Sequence, residues 1–185
     1  MRVAVYGGSF NPPHVVHAMV ASWLLWSGTV DEVWIVPVYR HAFETIQEKR
    51  LVDYASRMLW CQRMAETISP SIQVCDVESK LPVPSYSIDT LEYLASVYPE
   101  HQFRLVVGSD VVSQLPQWKN WQAIQAKFSP IIVGRVGFDG ANQSMIFPNI
   151  SSTGIREILR KGDMPTSWLL ASVCAELEKH NPYRR

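Results

Sequence analysis

The sequence predicts an α/β fold with a doubly wound parallel sheet of about five strands and helices on both faces. Short apolar runs, each suited to a buried strand, occur at residues 3–6, 32–36, 72–77, 102–107 and 131–134. Stretches with helical spacing of apolar residues separate these runs. Strands that alternate with helices are typical of parallel sheets, in which ligands bind beyond the carboxyl ends of the strands.

The remaining segments follow the same alternation. After a first helix that begins near residue 16, helices are expected at residues 51–68, 87–98, 118–128, 153–161 and 167–180. Ser85 or Ser87 is the expected cap of the helix at residues 87–98. The mixed polarity of residues 38–49 predicts a loop over the strand ends, and residues 145–147 could form a short sixth strand.

Length and charge narrow the classes of function. A chain of 185 residues suits one domain, residues 1–185, with a sizeable core. The 17 basic and 17 acidic residues give no support for a nucleic-acid or membrane partner, so a small-molecule partner fits better, and a homo-oligomer is left open. Cys61, Cys75 and Cys174 lack C-x-x-C spacing, which favours buried reduced thiols. With no apolar leader or membrane-length run, a cytoplasmic location is expected.

The most informative stretch is residues 3–17, VAVYGGSFNPPHVVH. Its apolar run breaks at Gly7 and Gly8, and a helical pattern follows the two prolines. A glycine turn between a strand and a helix lets a ligand approach the backbone, and free amides at the helix start favour phosphate. His14 and His17, three residues apart, would face the same side of the first helical turn. A metal half-site or simple packing are the alternatives for this pair.

Other polar groups are predicted to lie at the same edge of the sheet. Gly108 and Asp110 follow the fourth strand, and Arg135 follows the fifth. Residues 151–153 precede a predicted helix, where their hydroxyls could cap the helix or bind phosphate. Asp110 could instead cap the helix after it. Arg135 and the hydroxyls of residues 151–153 add donors of the kind that a triphosphate needs in number.

Two motifs carry a family resemblance. Residues 7–17 read GGSFNPPHVVH and residues 150–156 read ISSTGIR. They resemble the G-G-[ST]-F-[DN]-P-x-H motif with its histidine pair and the I-S-S-T-x-[IVL]-R motif of the nucleotidylyltransferase superfamily. The resemblance implies a Rossmann-like fold whose C-terminal helices close the nucleotide site. It also implies ATP as substrate, Mg²⁺, and direct transfer of AMP to a phosphate of the second substrate.

The resemblance also assigns roles to residues of the two motifs. His14, His17 and Arg156 are the expected catalytic contacts to the phosphates. Asp110 is expected near the adenosine ribose or the metal, and no side chain is assigned as a metal ligand. The expected nucleotide-binding residues come from the glycine turn, the ends of the fourth and fifth strands, and the second motif. They are Gly7, Gly8, Ser9, Phe10, Gly108, Asp110, Arg135, Ile150, Ser151, Ser152 and Thr153.

A second pair of segments narrows the choice of the substrate that accepts AMP. Residues 84–91 read PSYSIDTL and residues 115–118 read LPQW, which resemble P-S-Y-T-x-[DQ]-T-L and L-P-x-W of the nicotinate-nucleotide adenylyltransferase branch. The resemblance implies that Trp118 stacks on the pyridine ring and that Tyr86, Ser87 and Thr90 lie near the acceptor. A tryptophan buried only for packing is the alternative. The implied reaction converts nicotinic acid mononucleotide to deamido-NAD, a step of NAD biosynthesis.

One segment departs from the branch. Residues 38–45 read VYRHAFET where the branch has P-P-H-[KR] after the second strand. His41 remains a candidate donor to the acceptor. The departure leaves open the adenylylation of nicotinamide mononucleotide or of another phosphorylated acceptor such as pantetheine phosphate, although the latter gives the tryptophan segment no role. It also leaves open a non-catalytic nucleotide-binding module.

Overall fold

A six-stranded parallel sheet forms the centre of the molecule, so the predicted fold class is confirmed with one strand more than the five best-supported runs. The computed structural model describes residues 1–40, 51–138 and 145–184. The strands are β1 (Arg2–Gly8), β2 (Glu32–Pro37), β3 (Ile72–Val74), β4 (Gln102–Gly108), β5 (Ile131–Arg135) and β6 (Ile146–Phe147). Their order in the sheet is β3-β2-β1-β4-β5-β6.

Helices cover both faces of this sheet. The α-helices are α1 (Val15–Trp26), α2 (Tyr54–Ile68), α3 (Ser87–Val97), α4 (Trp121–Phe128), α5 (Ser152–Arg160) and α6 (Ala171–Lys179). Two 3₁₀ helices lie at Val77–Lys80 and Ser109–Gln117. In the part of the chain that the structure describes, no helix has the length and apolar character needed to cross a membrane.

The core has one hydrophobic cluster on each side of the sheet. Side chains of α1, α2, α5 and α6 pack on one face with Ala4 of β1, and those of α3 and α4 pack on the other face with Val3 and Val5. Successive residues of a strand point to opposite faces, so both faces of β1 are buried. This explains why the strands appear in the sequence as continuous apolar runs.

The sheet changes its winding direction between β1 and β4. From β1 the chain proceeds through β2 and β3 on one side, and from β4 through β5 and β6 on the other. The paired register of these two central strands ends at Val5 and Leu105, before either strand ends. A crevice at such a switch point is the usual ligand site of doubly wound sheets, so the ends of β1 and β4 locate the candidate site.

Several predicted boundaries were wrong. The strand predicted at 72–77 ends at Val74, and the helix predicted from residue 118 begins at Trp121, because Asn120 has a left-handed φ of 52°. The preceding 3₁₀ helix, which contains Pro116, was not predicted. The last helix begins at Ala171 and not at residue 167.

The predicted cap of α3 was also wrong. Tyr86 is the N-cap residue and makes no side-chain cap bond, while Ser87 is already helical. Most of the loop predicted at residues 38–49 lies outside the described residues. The three cysteines are free, as expected, although Cys75 is only partly buried.

Candidate active site

The turn after β1 has a demanding backbone geometry. Gly7 has open space where a side chain would begin, whereas a Cβ on Gly8 would lie 3.1 Å from the Phe10 ring. Phe10 adopts a left-handed φ of 44°, which is uncommon for a bulky residue. Its buried ring packs against His17, with centroids 4.8 Å apart, and against Tyr6 at 5.6 Å. Packing therefore offsets the backbone strain and fixes the turn.

The second sequence motif lies directly on this turn. The Ser152 hydroxyl donates to the carbonyl of Pro12 at 2.9 Å, and Arg156 Nη1 donates to the carbonyl of Asn11 at 2.9 Å. Ser151 caps α5 by accepting from the Gly154 amide at 3.3 Å. Two motifs about 140 residues apart in sequence thus meet at the carboxyl end of β1.

Asn11 anchors the turn from the inside. Its buried side-chain oxygen accepts from the Tyr183 hydroxyl at 2.7 Å and from the Val52 amide at 3.3 Å. Two residues earlier in the turn, the carbonyl of Ser9 accepts from Arg57 Nη1 at 3.0 Å. Buried backbone outside regular structure needs such partners, because each unpaired polar group carries a desolvation cost.

The two histidines share one side of the first turn of α1, as predicted. His14 is the N-cap residue, and its backbone amide donates to Nδ1 of His17 at 3.0 Å. The ring centroids are 3.7 Å apart with an interplanar angle of 30°. His14 is buried, and within the described chain its Nδ1 has no hydrogen-bond partner. That atom is thus a buried polar group whose hydrogen bond the free protein leaves unmade.

Burial keeps both histidines neutral. It lowers the pKa of His14 to about 3, with a further contribution from the Arg135 charge. It also lowers the pKa of His17 well below its ordinary value, and His14 and Arg135 add to this effect. Because Nδ1 of His17 accepts a hydrogen bond, the neutral ring carries its proton on Nε2. Nε2 of His17 is therefore a hydrogen-bond donor.

Arg135 joins three segments at the ends of the strands. Its Nη1 contacts Oδ2 of Asp110 at 2.8 Å, its Nη2 donates to the carbonyl of Ile150 at 2.7 Å, and its amide donates to the Ser109 hydroxyl at 2.9 Å. The Asp110 carboxylate lies so close to Gly108 that a Cβ there would collide with it. A side chain at position 108 would therefore require the Asp110 carboxylate to move.

The predicted acceptor residues lie on the side of the sheet covered by α3 and α4. Tyr86 and the half-buried Trp118 pack against the same hydrophobic cluster, and Trp118 contacts Trp121 edge-on at 6.2 Å. Ser87 is the first residue of α3. The Thr90 hydroxyl is buried and donates to Glu78 at 3.3 Å. His41 lies outside the described residues.

Sequence reasoning missed two buried charged residues beside this site, Arg57 and Glu78. Arg57 is 1% exposed and Glu78 is 7% exposed. Arg57 gave a signal, because it shares the helical spacing of the apolar residues Trp60, Cys61 and Met64. A charged residue on a buried helix face usually has a specific partner. Glu78 follows a short strand in a polar segment and gave no such signal.

The fold and this site define a nucleotidylyltransferase. Residues 5–158 match the family model described as cytidylyltransferase-like. The chain belongs to that family and, within it, to the nicotinate-nucleotide adenylyltransferases. A probable nicotinate-nucleotide adenylyltransferase of Anaeromyxobacter sp. (strain K) is 37% identical, over 99% of this chain and 97% of that protein. The corresponding protein of Myxococcus xanthus is 30% identical, over 99% of this chain and 95% of that protein.

Solved structures show the same fold. The Plasmodium falciparum nicotinic acid mononucleotide adenylyltransferase complexed with NaAD superposes with a TM-score of 0.80 at 20% identity, over 98% of this chain and 97% of that chain. The same enzyme complexed with APC gives a TM-score of 0.76 at 19% identity, over 98% of this chain and 96% of that chain. The likeness extends over nearly the whole length of both chains.

The neutral histidines predict how stability depends on pH. Below about pH 6.5 the unfolded chain takes up protons that the two histidines of the folded protein, with their lowered pKa values, do not. The free energy of unfolding therefore falls as the pH is lowered. Each histidine contributes a slope of up to about 1.4 kcal/mol per pH unit. We expect His14→Asn to show a shallower loss than wild type between pH 7 and pH 5, measured by urea unfolding. The exposed His180→Asn variant is the control, and equal slopes for His14→Asn and wild type would contradict the assignment.

Proposed function

We propose that this chain transfers AMP from ATP to the phosphate of nicotinic acid mononucleotide, giving deamido-NAD and pyrophosphate. The observation that carries the proposal is the contact between the two motifs at the switch point, where Ser152 donates to the Pro12 carbonyl. The contact supports the proposal because it brings the starts of α1 and α5 together at the carboxyl end of β1. Helix starts suit a polyphosphate. At α1 the amides of His14 and Val15 already donate within the chain, to Nδ1 of His17 and to the carbonyl of Trp168, so the remaining first-turn amides would face the phosphates.

The phosphates of ATP would be held by neutral donors and by fixed positive charge. His14 and His17 are neutral in the free protein and can offer N–H groups, while Arg135 and Arg156 supply charge. A bound triphosphate would raise the pKa of both histidines, because its negative charge favours the protonated rings. The protonated histidines can then stabilise the negative charge that develops on the phosphates during transfer.

The transfer needs no protein nucleophile. An oxygen of the acceptor phosphate attacks the α-phosphorus of ATP in line, and the bond from that phosphorus to the bridging oxygen of pyrophosphate breaks. The chain's contribution is to position two substrates and to stabilise charge. Bringing reactants together can supply roughly 7 to 11 kcal/mol at best.

The residues at this edge of the sheet fit Mg²⁺ that arrives with the triphosphate. Among the described residues there is no cluster of three histidine, cysteine or carboxylate groups that could enclose a cation. Mg²⁺ usually takes one or two carboxylates and completes its shell with substrate phosphates and water. Asp110, already held beside Arg135, would be the protein carboxylate. The ion, when bound, would neutralise part of the phosphate charge.

Trp118 and the start of α3 would hold the pyridine half of the acceptor. An indole face is a suitable platform for an electron-poor ring, and the amides and hydroxyls near Tyr86 and Ser87 can face its carboxylate. The acid form of the pyridine is also the one named for the relatives at 30% identity and above. Residues 1–185 would carry both half-sites as a single domain.

An acceptor panel tests the proposed function. The protein is incubated with ATP and Mg²⁺ and with nicotinic acid mononucleotide, nicotinamide mononucleotide or pantetheine phosphate, and pyrophosphate release is followed. We expect release that depends on nicotinic acid mononucleotide and is fastest with it. Release that is faster with another acceptor would change the assigned substrate, and ATP binding without release under any acceptor would indicate a non-catalytic module.

The role of the histidine pair predicts a loss of turnover. His17→Ala removes a partly buried donor to the phosphates, so kcat should fall on the order of 10² to 10³, as for other charge-stabilising donors. Steady-state kinetics measure the fall, and the exposed His180→Ala variant should keep wild-type rates. Near-full turnover of His17→Ala would refute the histidine assignment.

The role of Trp118 predicts a selective loss of acceptor binding. Trp118→Ala should raise KM for nicotinic acid mononucleotide about tenfold, which corresponds to about 1.4 kcal/mol of lost stacking. KM for ATP should stay within about twofold, and Trp118→Phe should recover part of the loss. Trp26→Ala, at a residue that is 83% exposed, is the matched control. Equal changes in both KM values would contradict the stacking role.

A further inference from the structure

A single peptide group lies between two buried charged side chains. The carbonyl of Val38 accepts from Arg57 Nη1 at 2.7 Å, and the amide of Tyr39, in the same peptide group, donates to Oε2 of Glu78 at 3.0 Å. The carbonyl and N–H of a trans peptide point in opposite directions. Arg57 and Glu78 therefore hold this peptide from opposite sides, just after the end of β2.

Arg57 also reaches the turn after β1. The same Nη1 donates to the carbonyl of Ser9 at 3.0 Å, and Nε donates to the carbonyl of Val52 at 2.9 Å. One guanidinium thus fixes the phosphate turn relative to the segment that follows β2. Its planar set of donors makes several such contacts at defined angles, which an ammonium group cannot do.

Glu78 reaches the predicted acceptor segment. Its Oε1 accepts from the Thr90 hydroxyl of α3 at 3.3 Å. Next to it, the Ser85 amide donates to the carbonyl of Arg40 at 2.9 Å, which joins the end of the β2 segment to the residues before α3. Burial raises the pKa of Glu78, while hydrogen bonds from Ser85, Tyr39 and Thr90 and the charge of Arg57 act in the opposite direction.

We infer that Arg57 and Glu78 are positioning residues that set the separation of the ATP and acceptor half-sites through the peptide between Val38 and Tyr39. We call this arrangement the peptide bridge. It runs from the carbonyl of Ser9, through Arg57, the peptide and Glu78, to the hydroxyl of Thr90. The inference rests on the proposed function, because it assigns ATP to one end of the bridge and the mononucleotide to the other.

In-line transfer gives the bridge its importance. The reacting atoms must approach to about 3 to 3.5 Å, and a displacement of about 1 Å can cost on the order of 10² in rate. Hydrogen bonds to charged groups are shorter and stronger than neutral ones, and two on one peptide reinforce each other. The peptide bridge therefore suits the task of holding two substrates at a fixed distance.

Glu78→Gln tests the bridge with little change in shape. One terminal atom of glutamine is a donor, so only one of the bonds from Tyr39 and Thr90 can remain as it is, and the negative charge that strengthens both is lost. We expect KM for nicotinic acid mononucleotide to rise about tenfold and kcat to fall about tenfold, while KM for ATP stays within about twofold. Glu92→Gln, an exposed residue of α3 that pairs with Lys127, should leave all three values unchanged.

A second variant tests whether Arg57 and Glu78 act through the same peptide. Arg57→Lys keeps the positive charge but not the planar fork, and it should lower kcat about tenfold. Because both residues hold one peptide, the double variant should lose less than the product of the two single losses. Losses in kcat that multiply would show independent roles and overturn the inference.

A merely structural role would give a different result. A folded Glu78→Gln protein with a lower melting temperature but unchanged kcat and acceptor KM would overturn the inference, as would equal rises in both KM values. If Glu78→Gln does not fold, Thr90→Val removes the same end of the bridge and is judged by the same values.

The wild-type protein, measured in the same assay, tests the proposed function separately. If another acceptor supports release, the variants are compared with that acceptor. If no acceptor does, the proposed function fails, and dissociation constants for nicotinic acid mononucleotide and ATP replace the KM values. The inference then still requires Glu78→Gln to weaken mononucleotide binding about tenfold with ATP binding unchanged, and equal affinities in wild type and variant would overturn it.

Discussion

The structure depends on satisfying the buried backbone of the turn after β1. In the described part of the chain, the carbonyls of Ser9, Asn11 and Pro12 are not paired with backbone amides of a strand or helix. Each accepts a hydrogen bond from a side chain of α2 or α5. With its carbonyls paired in this way, the turn keeps one geometry although Phe10 has a left-handed φ. These hydrogen bonds hold α2 and α5 against the turn at the switch point of the sheet, because buried carbonyls are stable only when they are paired.

The charges of the candidate site also depend on burial. The site holds the guanidinium groups of Arg57, Arg135 and Arg156 near two imidazoles that burial keeps uncharged. Burial also lowers the pKa of Arg57 and Arg156, which shows that desolvation of these cations is unfavourable. An anion placed in the crevice would offset that cost. In the proposed function, a polyphosphate would complement this charge distribution.

The sequence was sufficient for the features that depend on local pattern. Apolar runs and helical spacing predicted the sheet and its helices, and Gly7 and Gly8 predicted the turn, because these signals come from neighbouring residues. A helix start that depends on one dihedral angle was missed, as at α4, where Asn120 has a left-handed conformation. The contacts of Arg57 and Glu78 were also missed, since they join residues as many as 48 positions apart and only the folded chain brings these together.

The contact between Tyr183 and Asn11 has a consequence for how the chain is completed. The two residues are 172 positions apart, so this hydrogen bond cannot form during synthesis until Tyr183 has also left the ribosome. Contacts of such long range are closed late and slow the search for the native state. A nascent chain from which Tyr183 has not yet emerged therefore holds the turn after β1 without this anchor.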